Sequence, residues 1–406
     1  MKPKLRYVRV HPFRQDGYDG VLLEDPLGLS ETHIYVPQPM IPLLPLMDGT
    51  RDARGLQVGV QLRHGYTLPL DVVEQLIEAL DQALMLENER FDRAKAEALH
   101  AYRSAPHRPL AHAGSVYPAE PDALRRQLDA YLSQVGELPP PLPHPRAVVS
   151  PHIDYQRGGP VYARVWAYAA DAVREVERVI VLGTDHNGDF GTITLTRQHY
   201  ATPYGVLPTD QTVVDALVDV VGPEEAFREE LHHRREHSIE LALVWLHHMR
   251  AGQPVSVVPI LMGSFAHFTS GMKSPEEDAR LNRVVEVLKQ AMEDKPTLLV
   301  AAGDLAHVGP AFGDPTPLTP ADRARLKAAD EELIQAMIEG DAAHFFASIA
   351  AVGDRYRICG LPPIYLLLRV LGRGQGVLTG YDQCPADAEN GSTVSVCGVV
   401  LTPHSG

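Results

Sequence analysis

Three short apolar segments of this 406-residue chain end at residues that can do chemistry. His152 follows the first and His186 the second, and Asp304 and His307 follow the third. Imidazole and carboxylate groups bind first-row transition metals and move protons. The spacing therefore predicts a metal or acid–base site, provided that the three segments end at the same place in the fold.

The apolar segments themselves predict buried β-strands. Residues 146–151, 178–183 and 297–303 are rich in Val, Leu, Ile and Ala, are too short for helices, and end at Pro or Gly. A helix-length stretch, 161–170, separates the first two segments, an order that predicts a right-handed parallel crossover between adjacent strands. Ligands of open α/β sheets bind at the carboxyl ends of the strands, so the histidines and acids would surround one crevice.

Short motifs also occur in a fixed order between residues 112 and 403. They are His112-Ala-Gly-Ser-Val-Tyr117-Pro, Pro151-His152, Leu182-Gly-Thr-Asp-His186, Glu236-His-Ser-Ile-Glu240, Gly303-Asp-Leu-Ala-His307 and Ile358-Cys359-Gly360. Together they resemble the Memo family, also called AmmeMemoRadiSam system protein B. That family is similar in fold to class III extradiol dioxygenases, which use non-haem iron. The resemblance implies an α/β domain with a mixed, largely parallel sheet flanked by helices.

The metal ligands predicted from position and resemblance are His152, His186 and Cys359. Two neutral imidazoles suit Fe(II), Zn, Cu or Ni almost equally, so the third ligand decides between the metals. The resemblance implies Cys359 as that ligand, and Fe(II) as the ion, with Cu or Zn as alternatives. Cys359 precedes a predicted helix, where the pKa of a thiol can be lowered. If Cys359 is instead a small buried hydrophobic residue, His307 or Asp304 becomes the third ligand.

The predicted catalytic residues are Asp304, His307 and His237. Asp304 and His307 would transfer protons, or orient a ligating imidazole through its free N–H group. Glu236, His237 and Glu240 form a further polar cluster, in which His237 and Glu240 share a helical face. The resemblance implies that this motif lies near the site, and a solvated helix start is the alternative. The doublets at 232–233 and 247–248 are predicted to be solvated or interfacial.

The N-terminal part of the chain predicts a separate α+β domain, 1–103. Its clearest helix spans 71–85, and the whole resembles winged-helix and PqqD-like modules that bind peptides. Twelve Lys or Arg against fifteen Asp or Glu in this part argue against a DNA-binding surface. Residues 104–111, with two prolines, predict a linker, and 112–406 would then form the Memo-like α/β domain.

Composition indicates a cytoplasmic protein that binds neither nucleic acid nor membrane. The formal net charge is −15, three cysteines do not make a disulfide framework, and the N-terminus lacks the apolar core of a signal peptide. No uncharged apolar stretch reaches membrane-spanning length.

The function predicted from the sequence is metal binding, with redox or dioxygenase-like activity, in an AmmeMemoRadiSam-type modification pathway. A radical-SAM protein and an AMMECR-like protein are the partners that the resemblance implies. The alternative is a non-enzymatic module that binds a peptide or protein in the same crevice. The sequence does not identify the peptide or small-molecule ligand.

Overall fold

The computed structural model describes residues 1–15, 17–271 and 273–404. It divides the chain into two compact units, Met1–Ser104 and Ala105–Gly406. Most of the segment predicted as a linker, 104–111, therefore belongs to the second unit, and its Arg108 side chain is buried there.

The first unit combines an antiparallel sheet, in the order β1-β2-β3, with helices. Leu23 and Val36 of the sheet pack in one core with Leu56 and Val60 of α1 and with α2. The helix predicted at 71–85 is α2, whose apolar residues at a spacing of three and four are buried as one face. The winged-helix and PqqD-like resemblance of this unit stays a prediction. The elements are β1 Arg9–Gln15, β2 Tyr18–Glu24, β3 Ile34–Pro37, a 3-10 helix Gln38–Leu46, α1 Ala53–His64, α2 Leu70–Gln82 and α3 Glu89–Ser104.

The second unit is built on a mixed sheet in the order β11-β13-β4-β10-β5-β9-β6, with β12 paired to β13. Its central strands β4, β10, β5 and β9 are parallel, and β13 and β6 flank them antiparallel. A separate hairpin pairs β7 with β8. The strands are β4 Ala147–Ser150, β5 Arg178–Thr184, β6 Ile193–Leu195, β7 Tyr200–Thr202, β8 Gly205–Leu207, β9 Ser256–Met262, β10 Thr297–Ala302, β11 His307–Val308, β12 Gly374–Pro385 and β13 Thr393–Pro403.

Helices cover both faces of this sheet, which explains why its central strands are apolar throughout rather than alternating. Val149 of β4 packs in a core with α7, α11, α12 and α14, whereas the neighbouring Val148 packs on the other face with α4, α5 and α9. The predicted fold class, an α/β unit with a largely parallel sheet flanked by helices, is confirmed. The helices are α4 Pro121–Leu132, α5 Tyr155–Tyr168, α6 Ala170–Glu175, α7 Gln211–Val221, α8 Pro223–Phe227, α9 His237–Met249, α10 Ala266–Thr269, α11 Ala279–Asp294, α12 Pro320–Ile338, α13 Ala342–Ala350 and α14 Leu361–Leu371, with 3-10 helices at Glu230–Arg234, Pro275–Glu277 and Pro310–Phe312.

The strand order corrects one prediction. The sequence predicts β4 and β5 as adjacent strands, but β10 lies between them and pairs in parallel with both. The crossover through α5 therefore skips one strand position. Because β4, β10 and β5 run side by side in one direction, the residues that follow their carboxyl ends still meet at one edge. Within the described part of the chain, none of the helices has the length and apolar character needed to cross a membrane.

Candidate metal centre

His152 follows β4 and is held by the loop that follows β10. Its ring Nδ1 lies 3.0 Å from the carbonyl oxygen of Ala302, and its backbone N–H donates to Asp304 Oδ1 at 2.8 Å. A carbonyl only accepts, so Nδ1 carries the proton and Nε2 carries the lone pair. The side chain is almost completely buried, and burial, with the charges of His186 and His237 adding to it, lowers the pKa of His152 well below its usual value. The lowered pKa favours the neutral form of the ring.

Asp304 contacts the backbone of His152 rather than the ring Nδ1 of that histidine. The sequence predicts that it orients a ligating imidazole through the ring N–H, but the Ala302 carbonyl does that for His152. Asp304 Oδ1 instead accepts the backbone N–H of His152, and Oδ2 lies 3.7 Å from His152 Nε2. Burial raises the pKa of the Asp304 carboxyl, although nearby His307 and the His152 N–H act in the opposite direction.

His186, which follows β5, is oriented by Glu236. Both carboxylate oxygens lie 3.1 Å from the ring Nδ1, and one of them accepts the His186 backbone N–H, also at 3.1 Å. Burial would lower the pKa of His186, but Glu236 and then Cys359 outweigh it and raise the pKa well above its usual value. The side chain keeps 29% of its surface exposed, on the side of the cavity described below.

Glu236 is a buried carboxylate at the start of α9, so the alternative of a solvated helix start is wrong. It is the N-cap of the helix and accepts the backbone N–H groups of His237 at 2.8 Å and Ser238 at 3.0 Å. The His237 ring Nδ1 also lies 3.1 Å from its Oε1. Burial would raise the pKa of Glu236, but the charges and hydrogen bonds of His186 and His237 lower it well below its usual value.

Three imidazoles therefore meet at the carboxyl edge of the sheet. The ring centroids of His152 and His186 are 5.0 Å apart, and His237 lies 5.2 Å from the first and 4.8 Å from the second, stacked on it. One nitrogen of each ring lies within 4.8 Å of the others, close enough for the set to share a metal ion. His237, which the sequence predicts as a catalytic residue, therefore lies beside the predicted ligands His152 and His186.

Cys359 joins this group through a close approach of two loops. Its Sγ lies 3.1 Å from His152 Nε2, and Cys359, Asp304 and His152 form a second set of ligand atoms within 4.8 Å. Gly360 makes the approach possible, because a Cβ there would lie 2.6 Å from the Asp304 carbonyl oxygen. The prediction of a lowered thiol pKa is wrong: burial raises the pKa of Cys359, and the opposing effect of His186 is smaller.

The three histidines and Asp304 line a cavity of about 600 Å³. His307 lines it, but its Nδ1 faces the carbonyl oxygens of Leu305 and Arg357 at 3.2 and 3.1 Å rather than the other imidazoles. His307 is thus beside the site without being placed among its closest groups. The remaining wall is partly apolar and is formed mainly by Val116, Ile153, Leu241, Phe312 and Val394.

Comparison with known proteins assigns the family. The family model described as "Memo-like protein" matches residues 108–400. A "MEMO1 family protein" of Aquifex aeolicus is 29% identical over 418 aligned positions, which cover 99% of this chain and 100% of the relative. A second one, from Thermus thermophilus, is 31% identical over 81% of this chain and 93% of its own length. The "Protein memo-1 homolog" of Caenorhabditis elegans is 29% identical over 64% of this chain and 70% of its own length.

The chain belongs to the Memo-like family.

The Memo-like match begins at Arg108, a residue that the sequence predicts as part of a linker. Its guanidinium pairs with Glu240 at 2.5 Å, both side chains being fully buried, and it donates to the backbone carbonyls of His233 and Glu236. Glu240 also accepts the Tyr117 hydroxyl at 2.5 Å. The spacing of residues along the sequence does not predict this pair, because its members are 132 positions apart. A charged residue inside a short Pro-flanked segment was the only available signal.

Glu240 of that buried pair also holds the backbone of His112, which lines the cavity. Glu240 accepts the backbone N–H of His112 at 3.0 Å, and the His112 ring lies 5.8 Å from His237. Its Nε2 faces the carbonyl oxygen of Arg235 at 2.9 Å. Although His237 and Glu240 are three positions apart, one lines the cavity and the other is held in the protein interior.

The histidine doublets of this Memo-like chain are not solvated, so that prediction is wrong. His233 is completely buried, with Nδ1 2.7 Å from the Tyr200 hydroxyl and Nε2 3.0 Å from the Thr194 carbonyl oxygen. His247 and His248 are buried within α9. His232 contacts Asp185 at 2.8 Å. Adjacent histidines on a short helical segment suggested exposure, but hydrogen-bond partners from distant strands offset the cost of burying them.

Proposed function

We propose that this Memo-like protein binds one transition-metal ion through Nε2 of His152 and of His186, with Cys359 as the third ligand. The observation that carries the proposal is the anchoring of both rings at Nδ1, by the Ala302 carbonyl and by Glu236. Ligating histidines typically use their second nitrogen in this way, which fixes the tautomer and aims the other nitrogen at the metal. Cys359 Sγ, 3.1 Å from His152 Nε2, adds a donor beside them.

His237 is the nearest further donor. Its Nδ1 is 3.1 Å from Glu236, as for His186, so its Nε2 is likewise the nitrogen left for a ligand. A set of imidazoles with one thiolate suits Fe(II), Cu and Zn. We favour Fe(II) because of the resemblance to non-haem iron dioxygenases, a fold relation that is itself still a prediction. The thiolate makes copper the strongest competitor.

A bound Fe(II) would supply a Lewis acid and a one-electron redox couple at the base of the cavity. The chain's own residues would do the rest. Leu241 and Phe312 form an apolar part of the cavity wall, which would limit the entry of water. His307, whose Nδ1 faces carbonyl oxygens, is left with Nε2 as a proton acceptor. Asp304 fixes the backbone at His152 and thereby the ligand itself.

The reaction that we propose is redox or dioxygenase-like. A typical dioxygenase site combines two histidines with a carboxylate, whereas a thiolate donates more charge and weakens the Lewis acid. Ordinary ring cleavage of catechols is therefore less favoured here than one-electron chemistry, since a shared fold does not fix the reaction. The pathway role beside a radical-SAM protein and an AMMECR-like protein stays a prediction from the resemblance.

The test is the metal content of protein purified without oxygen. We expect about one equivalent of iron or copper per chain by mass spectrometry, and oxygen consumption when candidate catechols or other reductants are added. Cys359→Ser should weaken Cu(I) binding more than Fe(II) binding, and it should remove the sulfur-to-metal charge-transfer band of the Co(II)-substituted protein. Cys397→Ala, which removes a thiol buried in β13, is the matched control.

Folded protein that takes up no metal would contradict the proposal and favour the non-enzymatic alternative, capture of a peptide or protein in the same crevice. A charge-transfer band that survives in Cys359→Ser would remove Cys359 from the ligand set. His237→Gln then tests the nearest replacement.

A further inference from the structure

A second group of ligand-type side chains lies behind His186, outside the cavity. Asp185, Glu229 and His232 bring two carboxylates and one imidazole together, with their ligand atoms within 4.8 Å of one another. His232 Nδ1 is 2.8 Å from Asp185 Oδ2 and 4.0 Å from Glu229 Oε2. The exposed fractions of the three side chains are 0%, 13% and 8% in chain order.

Glu229 has a carboxylate oxygen whose hydrogen-bonding capacity is not satisfied within the group. Its Oε2 is buried and has no hydrogen-bond partner among the described residues. The other oxygen, Oε1, accepts the Asp189 backbone N–H at 3.3 Å and lies 3.9 Å from the Arg228 guanidinium on the surface side. An unpaired carboxylate oxygen turned away from water is costly, and buried charges are normally paired or coordinate metals. Oε2 therefore faces a position that a cation would fill.

Asp185 is held so that its carboxylate faces the same position. Its Oδ1 accepts the Asn187 backbone N–H at 3.1 Å, which leaves Oδ2 turned to His232. Gly188 permits this fold of the loop, because a Cβ there would lie 2.8 Å from the Asp185 carboxyl group. Asp185 is not among the residues that line the cavity, and its Oδ2 contacts His232 instead.

We propose that Asp185, Glu229 and His232 form a second site, for a divalent cation of the Mn(II) type. Carboxylate oxygens are hard donors and an imidazole nitrogen is a borderline donor. Such a set suits Mn(II) better than a set that contains a soft thiolate. The two carboxylate charges balance the ion. The site is independent of the proposed function of the cavity, because it shares no ligand with His152, His186 or Cys359.

The second site would fasten together the two segments that carry the first. Asp185 directly precedes His186, and His232 accepts the backbone N–H of Glu236 at 3.0 Å through its carbonyl oxygen. Glu236 in turn holds His186 and His237. A cation bound by Asp185 and His232 would therefore fix the spacing between His186 and its carboxylate partner, acting as a positioning element rather than as a catalytic one.

Mn(II) titration followed by EPR tests this site on the full-length protein, because the bound ion loses the sharp six-line signal of the free ion. We expect wild type to bind Mn(II) and His152→Ala to bind it equally well. Glu229→Gln should weaken binding by about 100-fold or more, since even groups that only orient a ligand are worth about 10- to 100-fold. Glu224→Gln is the matched control, because it makes the same charge change on an exposed side chain nearby.

Thermal unfolding identifies a variant that fails to fold, and His232→Gln, which removes a different ligand, must then give the same loss. Mn(II) binding that is unchanged in folded Glu229→Gln and His232→Gln, or absent from wild type, would overturn the proposal. The three residues would then be a hydrogen-bonded structural group. Binding that is lost in His152→Ala would also overturn it, by assigning the Mn(II) to the cavity.

Discussion

His152 and His233 are both buried histidines in the same unit, yet their environments differ in one decisive respect. His233 uses both ring nitrogens for hydrogen bonds, one with the Tyr200 hydroxyl and one with the Thr194 carbonyl oxygen. His152 has one nitrogen fixed by a backbone carbonyl and the other turned towards Cys359 and the cavity. Burial alone therefore does not identify a functional histidine. The distinguishing feature is one ring nitrogen held by a hydrogen bond and a second ring nitrogen left available for a ligand.

The largest expected effect separates these two classes of histidine. His152→Ala and His186→Ala should each lose metal, with affinity reduced by about 100-fold or more because a direct ligand is removed. His233→Gln should retain wild-type stoichiometry, since neither of its ring nitrogens is available. Metal analysis of folded, anaerobically purified protein measures all three. Wild-type occupancy in both alanine variants would invalidate the comparison.

The next effect concerns the buried ion pair between Arg108 and Glu240. Arg108→Met should lower the free energy of unfolding of the chain by roughly 3–5 kcal/mol, because it leaves the buried Glu240 carboxylate without its cation. Arg126→Met makes the same change on an exposed helical position and should cost less than about 0.5 kcal/mol. Denaturant unfolding measures both. Equal, small losses would mean that residues 104–111 behave as the linker that the sequence predicts.

Acid should act on His233 as well as on the buried groups of the cavity, and a His233 variant isolates its share. Burial lowers the pKa of His233 from 6.5 to about 3, so below pH 6.5 the unfolded chain takes up a proton that the folded chain refuses. Stability contributed by the neutral ring is complete above pH 6.5 and is lost between that pH and about 3, at up to roughly 1.4 kcal/mol per pH unit. His233→Gln should therefore show a shallower loss of stability between pH 6.5 and 5 than wild type. Parallel curves for the two proteins would be inconsistent with a neutral His233.

The smallest expected effect on metal affinity tests the orientation of the histidine rings by Glu236. Glu236→Gln keeps the size of the side chain but removes the charge that holds His186 and His237, and it should weaken metal binding by about 10- to 100-fold without abolishing it. Glu224→Gln again serves as the exposed control. Competition with a metal indicator measures the change. An affinity equal to that of wild type would show that Glu236 only caps α9.

Sequence patterns identify the strands and the residues at their ends because both are local properties. A run of Val, Ile and Leu closed by Gly or Pro predicts a buried strand, and the histidine or aspartate that follows must lie at the edge of the sheet. Strand order is not local, so the insertion of β10 between β4 and β5 could not be read from the chain. The partner of His186 was likewise hidden, because Glu236 lies 50 positions away.

Charge pairing and burial of polar residues were the least predictable features. Arg108 and Glu240 are 132 positions apart and meet only in the folded unit, where His233 is buried with partners from β6 and β7. A pattern that looks solvent-exposed along the chain, such as adjacent histidines, becomes internal when distant strands supply hydrogen bonds. The resemblance to the Memo family located the motifs, but it did not indicate which of their polar residues face the cavity.

Anomalous diffraction from crystals grown without oxygen and loaded with Fe(II) tests the central claim most directly. Data collected on both sides of the iron edge should give one strong peak in the cavity, about 2.0–2.3 Å from Nε2 of His152 and of His186. Cys359 Sγ or His237 Nε2 should complete the inner ligands, while the Nδ1 atoms stay on Ala302 and Glu236. A peak bound by Nδ1 of either histidine, or no peak in the cavity of fully loaded protein, would contradict the account.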